Sequence, residues 1–196
     1  MSVSFSWSAI LLAGGNSTRM GKDKSTLQVN GFPLWKRQWD LLKELSPYGL
    51  FRSLRKPVSW GTEAEPVIWD LFDQGGPLVG IYSSLKKVAT PYNLVLAVDM
   101  PNMQLEYLKM LIATAEKYQC GVIPINQGMY EPLVGVYTKK AVAHMEIFIR
   151  AKQFALQDII KALTEQGLVK TLEVEAFSRK FFENWNQPSD LTRPIV

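Results

Sequence analysis

Leu11-Leu12-Ala13-Gly14-Gly15-Asn16-Ser17-Thr18-Arg19-Met20-Gly21-Lys22-Asp23-Lys24 is the stretch from which the fold can be read. An apolar segment, Ser8 to Ala13, runs directly into a loop with three glycines, two hydroxyls, an arginine and two lysines. Glycines let a backbone approach a ligand closely and take positive φ, and successive N–H groups form an anion-binding concavity. The backbone N–H groups of Ala13, Gly14 and Gly15, with charge from Arg19 and Lys24, therefore predict a phosphate loop placed after a strand. Two familiar phosphate loops do not fit. There is no Gly-x-Gly-x-x-Gly, and Gly15 is separated by five residues from Gly21-Lys22, which Asp23 follows where Ser or Thr would stand.

Outward from this loop, short apolar runs alternate with helical patterns. Ser8–Ala13, Gly49–Leu54, Val67–Trp69, Leu94–Val98 and Gly121–Ile125 read as strands, and Pro33–Leu45, Pro77–Val88 and Leu105–Tyr118 as helices. Strand, helix, strand in succession implies parallel β/α/β units. Leu94–Val98 is continuously apolar, as a central parallel strand covered on both faces must be. Pro33 and Pro77 follow glycines and mark first helical turns. Lys139–Ile149 predicts a further helix, and Phe154, Ile159, Ile160 and Leu163 an amphipathic one closed by Gly167, with a late strand at Leu168–Val174. Met129–Tyr137 reads as one strand, antiparallel to its neighbours, with Pro132 giving it an irregular start.

With 196 residues, 47% of them apolar and 20% charged, the chain is long enough to bury a core as a single domain, and neither repeats nor a linker divide it. Cys120 is the only cysteine and His144 the only histidine, which excludes a disulfide framework and a cysteine/histidine zinc site. The longest apolar runs, Ala9–Ala13 and Leu94–Val98, are five residues each, far below the roughly 20 of a membrane span. The N-terminal apolar stretch lacks a basic flank and a cleavage site, so the expectation is a cytoplasmic protein without a signal peptide. A net charge of +4 suits anionic small ligands and is too weak and scattered to argue for nucleic acid.

Asp99 follows the Leu94–Val98 strand, and in open parallel sheets ligands bind beyond the carboxyl ends of strands, where the loop after Ala13 also lies. One aspartate suffices for Mg²⁺, which completes its octahedron with waters and nucleotide phosphate oxygens. Asp70, after Val67–Trp69, is a weaker candidate, with Asp73 close enough to be confused with it. Arg52, Arg55 and Lys56 read as a solvated basic face, and His144 as a structural or surface residue.

Leu-Ala-Gly-Gly-x-Ser-x-Arg-Met-Gly-x-Asp-Lys at 12–24 resembles the signature of the molybdenum cofactor guanylyltransferases, the MobA-like members of the nucleotidyltransferase superfamily. Gly76-Pro77-Leu78-Val79-Gly80-Ile81, Val98-Asp99-Met100-Pro101, Glu131-Pro132-Leu133 and Asn184-Trp185-Asn186-Gln187-Pro188-Ser189-Asp190-Leu191 resemble the family's later motifs, in its order. The resemblance implies a three-layer α/β/α Rossmann-like sheet, mostly parallel, of the nucleotide-diphospho-sugar transferase type. The nucleotide-binding half would span about 1–100 and the acceptor-binding half about 101–196. It implies transfer of GMP from GTP to the terminal phosphate of molybdopterin, with release of pyrophosphate and Mg²⁺ as cofactor. Arg19, Lys24 and Asp99 would be catalytic, with Asp99 on the metal. Leu12, Ala13, Gly14, Gly15, Ser17, Lys24, Ser53, Asp70, Pro77, Gly80 and Asp99 would hold the nucleotide, and Glu131, Pro132, Asn184 and Asn186 the acceptor. Ser53 is the nearest substitute for the family's polar residue, often asparagine, after the second strand.

Molybdenum-insertion proteins and molybdoenzyme chaperones are the implied protein partners, with no nucleic acid and no membrane, and a monomer or weak homo-oligomer as the assembly. A cytidylyltransferase acting on the same cofactor, another nucleotidyltransferase of this fold, or a binding protein without turnover remain open. Gly14-Gly15, where cytidylyl relatives usually carry Ala-Gly, leaves more room beside a purine and favours GTP.

Overall fold

A computed structural model describes residues 5–14, 24–29, 31–61 and 65–185. In chain order the elements are β1 (Trp7–Leu12), β2 (Gln28–Val29), β3 (Phe32–Pro33), α1 (Leu34–Glu44), β4 (Leu50–Leu54), β5 (Val67–Trp69), α2 (Pro77–Lys87) and β6 (Tyr92–Ala97). There follow α3 (Leu105–Tyr118), β7 (Gly121–Asn126), β8 (Met129–Tyr130), β9 (Val134–Thr138), α4 (Ala141–Arg150), α5 (Leu156–Glu165) and β10 (Val169–Glu173). Short 3₁₀ turns occupy Lys24–Thr26 and Ala176–Phe182.

The main sheet runs in the order β10-β7-β9-β6-β1-β4-β5, with β8 paired to β7, and β2–β3 form a separate ribbon. β1 pairs in parallel with both β4 and β6, and β5 extends the parallel set beyond β4. β9 lies antiparallel between β6 and β7. Alternation along the central strands sends their side chains into two cores. Ala9, Leu11, Leu94 and Leu96 pack with α1 and α3 on one face, and Ile10, Leu12 and Val95 with α2, α4 and α5 on the other. Helix, sheet, helix is the three-layer arrangement expected, and β6 is buried on both faces at its centre. Each fully buried Leu or Ile in these layers contributes roughly 2 kcal/mol over leaving it exposed.

Two local expectations need correction. The predicted strand Met129–Tyr137 is two strands, because residues 131–133 turn: Glu131 N–H donates to the Pro124 carbonyl at 2.9 Å and Val134 N–H to the Glu131 carbonyl at 3.2 Å. Pro132, with no N–H to give, sits where no ladder bond is required. Pro33 caps α1 in extended conformation and does not stand inside its first turn, whereas Pro77 is at the start of α2 as expected. The turn into α2 needs its glycines, since Gly75 has φ +125° and Gly76 φ +57°.

The carboxyl ends of β1, β4, β5 and β6 open along one edge of the sheet, and the segment leading into antiparallel β9 returns to that same edge. This is where the predicted chemistry converges.

Candidate active site

A cavity of about 340 Å³ opens at this edge. β1 contributes Leu12 with Ala13 and Gly14 beyond it, and β4 contributes Ser53 with Arg55 after its end. Asp70 follows β5, while Pro77 and Gly80 come from the first turn of α2. Asp99, just after β6, closes the opposite side together with Leu133. Eight predicted nucleotide residues thus meet around one space: Leu12, Ala13, Gly14, Ser53, Asp70, Pro77, Gly80 and Asp99. Gly15, Ser17, Arg19 and Asn186 lie outside the described residues, and Lys24 begins the 3₁₀ turn that leads to buried Ser25 on the cavity wall.

The hydrogen bonds alter part of the expected phosphate cradle. Ala13 N–H donates to the Ser53 carbonyl at 3.0 Å, extending the β1–β4 ladder, so it is not a phosphate donor. Gly14 answers a packing demand as well, because a Cβ there would lie 3.0 Å from the Arg55 backbone nitrogen. That demand explains a glycine at this position without reference to the size of a base. Gly80 lets α2 settle on the strands, since a Cβ would approach Ser53 Oγ to 3.1 Å and Leu12 Cδ2 to 3.3 Å.

Three side chains differ from their sequence-based expectation. Ser53 is buried and its hydroxyl donates to the Gly80 carbonyl at 3.3 Å, so its polar group is engaged within the fold. Arg52 is not part of a solvated face. It is 4% exposed and donates to the carbonyls of Trp60 at 3.0 Å and Glu65 at 3.1 Å. Its Nε stands 3.7 Å from the Glu65 carboxylate and its guanidinium lies over the Trp60 ring. The partners are 8 and 13 residues away and depend on how the chain folds back, which no local pattern reveals. Arg55, from the same basic cluster, is exposed yet lines the cavity, a site residue that sequence reasoning assigned to solvent.

Of the two aspartates near β5, the cavity takes Asp70; Asp73 is exposed. Asp70 Oδ1 is buried with no hydrogen-bond partner among the described residues. Burial pushes its pKa up from 3.8 to about 6, and the nearby Arg55 charge holds it partly down. Asp99 presents a half-buried carboxylate to the other end, and no group of three or more His, Cys, Asp or Glu that could hold a metal occurs among the described residues. The lining is mostly apolar, and the Asp99 carboxylate at its edge is the kind of hard oxygen donor that would suit a divalent cation drawing its other ligands from nucleotide and water.

Of the predicted acceptor residues, Glu131, Pro132 and Asn184 are not in the cavity wall. Glu131 accepts from Asn126 Nδ2 at 3.0 Å, and burial raises its pKa while that bond opposes the rise. Pro132 is buried, and its carbonyl accepts the Tyr137 hydroxyl at 2.7 Å; Leu133 is the member of this segment that reaches the cavity. Asn184 is exposed, and Trp185 next to it is 1% exposed and donates its backbone N–H to the Asp99 carbonyl at 2.9 Å. The C-terminal segment is therefore tied to the loop that carries Asp99. His144 lies on α4, outside this site.

Residues 9–167 match the family of MobA-like NTP transferase domains. The chain belongs to this family. Among its relatives, the "Probable molybdenum cofactor guanylyltransferase" of Opitutus terrae is 31% identical over 93% of this chain and 92% of its own length. The "Molybdenum cofactor guanylyltransferase" of Syntrophotalea carbinolica is 30% identical, covering 91% of this chain and 82% of its own. The crystal structure of molybdopterin-guanine dinucleotide biosynthesis protein A from Archaeoglobus fulgidus superposes with a TM-score of 0.76 at 25% identity, covering 94% of each chain. For fold alone, 2-C-methyl-D-erythritol 4-phosphate cytidylyltransferase from Thermus thermophilus gives 0.67 at 15% identity, over 97% of this chain and 96% of that one. The three-layer sheet with an antiparallel strand beside β6 is thus the nucleotidyltransferase fold, and in this MobA-like chain the cavity lies at the carboxyl ends of its parallel strands.

Proposed function

We propose that this protein transfers GMP from GTP to the terminal phosphate of molybdopterin, releasing pyrophosphate and forming the molybdopterin guanine dinucleotide cofactor. The observation that carries this reading is the convergence of the β1 turn, Asp70, Gly80 and Asp99 on one cavity. It occurs in a chain matched nearly end to end by relatives bearing the guanylyltransferase name.

The residue inventory suits the chemistry. A phosphate monoester has a second pKa of ~6 and is mostly a dianion at neutral pH, so the nucleophile needs no strong base from the protein. An oxygen of the acceptor phosphate attacks the α-phosphorus of GTP, and the bond to the bridging oxygen breaks, leaving that electron pair on pyrophosphate. What the protein supplies is in-line positioning and charge neutralisation. Asp99 would hold Mg²⁺, which when bound neutralises charge on the phosphate oxygens. Gly14, Gly15, Arg19 and Lys24 are assigned the phosphates, and Asn184 and Asn186, with Glu131 and Pro132 behind them, the acceptor. The tie between Trp185 and the Asp99 carbonyl supports this assignment, because it brings the asparagine segment to the metal end of the cavity.

The test is pyrophosphate release by purified protein with Mg²⁺ and molybdopterin, supplied separately with GTP, CTP and ATP. GTP-selective release is the expected result. Preference for CTP would overturn the choice of base while keeping site and acceptor, and silence from folded protein with all three would overturn the reaction.

A further inference from the structure

Gln38 breaks the pattern of its own helix. The buried residues of α1 are Leu34, Gln38, Trp39 and Leu42, so Gln38 stands one turn from each leucine, where an apolar side chain would continue the stripe. It is 0% exposed, and a buried amide is costly unless it is hydrogen-bonded. Gln38 Nε2 donates to the Met100 carbonyl, in the loop directly after Asp99. Arg37, its neighbour on the helix, donates from Nε to the Pro101 carbonyl at 3.0 Å.

With the Trp185 bond to the Asp99 carbonyl, three consecutive carbonyls of this loop are each held by a donor from outside it. Other bonds complete the frame around Asp99. Val98 N–H donates to the Leu12 carbonyl at 3.0 Å on its near side, and Met103 N–H closes a turn onto the Met100 carbonyl at 3.1 Å on its far side. Pro101 fixes one further dihedral through its ring. The backbone is thereby held just before Asp99 and along the peptide planes that follow it, which sets the direction in which the carboxylate leaves the chain. The same helix is tied at its start, where Leu34 N–H donates to the Leu27 carbonyl at 2.9 Å, to the segment that carries Ser25 on the cavity wall.

We infer that Gln38 and Arg37 are positioning residues for the metal carboxylate: by holding the Met100 and Pro101 carbonyls they fix the orientation in which Asp99 meets a divalent cation bound to the nucleotide phosphates. Mg²⁺ demands near-ideal octahedral geometry, so a ligand presented in the wrong direction binds it poorly. Groups that orient a ligand without touching the metal accordingly govern metal affinity. The inference rests on the nucleotidyl-transfer reading above and adds to it two residues of a helix that does not itself line the cavity.

The experiment is equilibrium binding of GTP to the full chain without acceptor, once with Mg²⁺ and once with EDTA. The ratio of the two dissociation constants reports the metal's contribution with no turnover. Wild type is compared with Gln38→Met, which keeps the length of the side chain and removes the donor, with Arg37→Met and Arg37→Lys, and with Asp99→Asn. Thermal melting checks that each is folded. Wild type is expected to bind GTP more tightly with Mg²⁺, and Asp99→Asn to lose that gain. Gln38→Met and Arg37→Met should each cut the ratio about 3- to 10-fold while changing binding in EDTA less than about twofold. Arg37→Lys, which keeps a donor, should recover part of the loss. A wild-type ratio in folded Gln38→Met and Arg37→Met, or equal losses with Mg²⁺ and with EDTA, would overturn the inference and leave both residues to stability alone. If Gln38→Met does not fold, the Arg37 pair decides the matter by the same ratio. A gain from Mg²⁺ that survives Asp99→Asn would overturn the metal role of Asp99 and the inference with it. Wild-type protein that binds no GTP under either condition would overturn the nucleotidyl-transfer reading itself.

Discussion

Asp70 and Asp99 are the same side chain in two environments, and the difference can be measured. Asp70 has a folded pKa of about 6 against an ordinary 3.8. The folded state therefore binds its proton more tightly than the unfolded state, and the cost of holding the anion in place is fully present above about pH 6 and disappears below about pH 4. Asp70→Asn should raise the melting temperature at neutral pH, and the advantage should shrink to nothing as the pH falls to the ordinary aspartate range; thermal melts across pH 3.5–8 give the comparison. The same substitution should weaken GTP binding, a local exchange of stability for function. Asp99→Asn should leave melting almost unchanged and reduce turnover by at least ~100-fold, read as pyrophosphate release at saturating GTP. Turnover within a few-fold of wild type would remove Asp99 from the metal role.

At the level of elements, the loop between β4 and β5 is held by a buried cation. Arg52 satisfies two carbonyls and faces Glu65, and Trp60 above it stacks on Trp35 of α1 with ring centroids 5.0 Å apart. Arg52→Leu removes those bonds and leaves Glu65, which is only 15% exposed, without its cation. The expected loss is about 3 kcal/mol in urea unfolding. Gly14→Ala should cost about 1–3 kcal/mol because the added methyl meets backbone, which cannot yield as a flexible side chain can.

These cases mark what the sequence could convey. Apolar runs such as Leu94–Val98 and the prolines and glycines at helix entries carry their meaning locally, so strands, helices and the parallel order were legible. So was the meeting of Gly14, Asp70 and Asp99, because consecutive parallel strands deliver their carboxyl ends to one edge. Arg52 and Arg55, three residues apart in one basic cluster, have opposite fates because Trp60 and Glu65 come back against Arg52. That is a tertiary event with no periodic signature. The break at Glu131–Leu133 escaped for a related reason, since Pro132 marks an irregularity without saying whether a strand ends there.

Over the whole molecule, the two halves of the chain share one sheet. β9 pairs with β6 along five residues from Tyr92 to Leu96, so an element from beyond residue 100 is built against a strand from before it. We propose that the nucleotide and acceptor halves are functional regions of one cooperative unit. Calorimetry should show a single transition with equal calorimetric and van't Hoff enthalpies, and two resolved transitions would contradict it. The C-terminal segment belongs to this unit through Trp185. Trp185→Ala should lose about 3–5 kcal/mol of stability, and it should raise the Mg²⁺ concentration needed for half-maximal activity. Both variants keep the backbone N–H that bonds Asp99, but Trp185→Phe also keeps most of the buried volume that seats this segment, and it should restore the metal response.

The Trp35–Trp60 stack adds a property of another kind. Two indoles at this separation, inclined by 22°, couple their electronic transitions and give an exciton pair in circular dichroism. One ring belongs to a core helix and the other to the loop that follows Arg55, so the pair works as a built-in optical gauge of that loop. Any change in the loop's order on addition of nucleotide would be read as a change in its amplitude, without any attached dye.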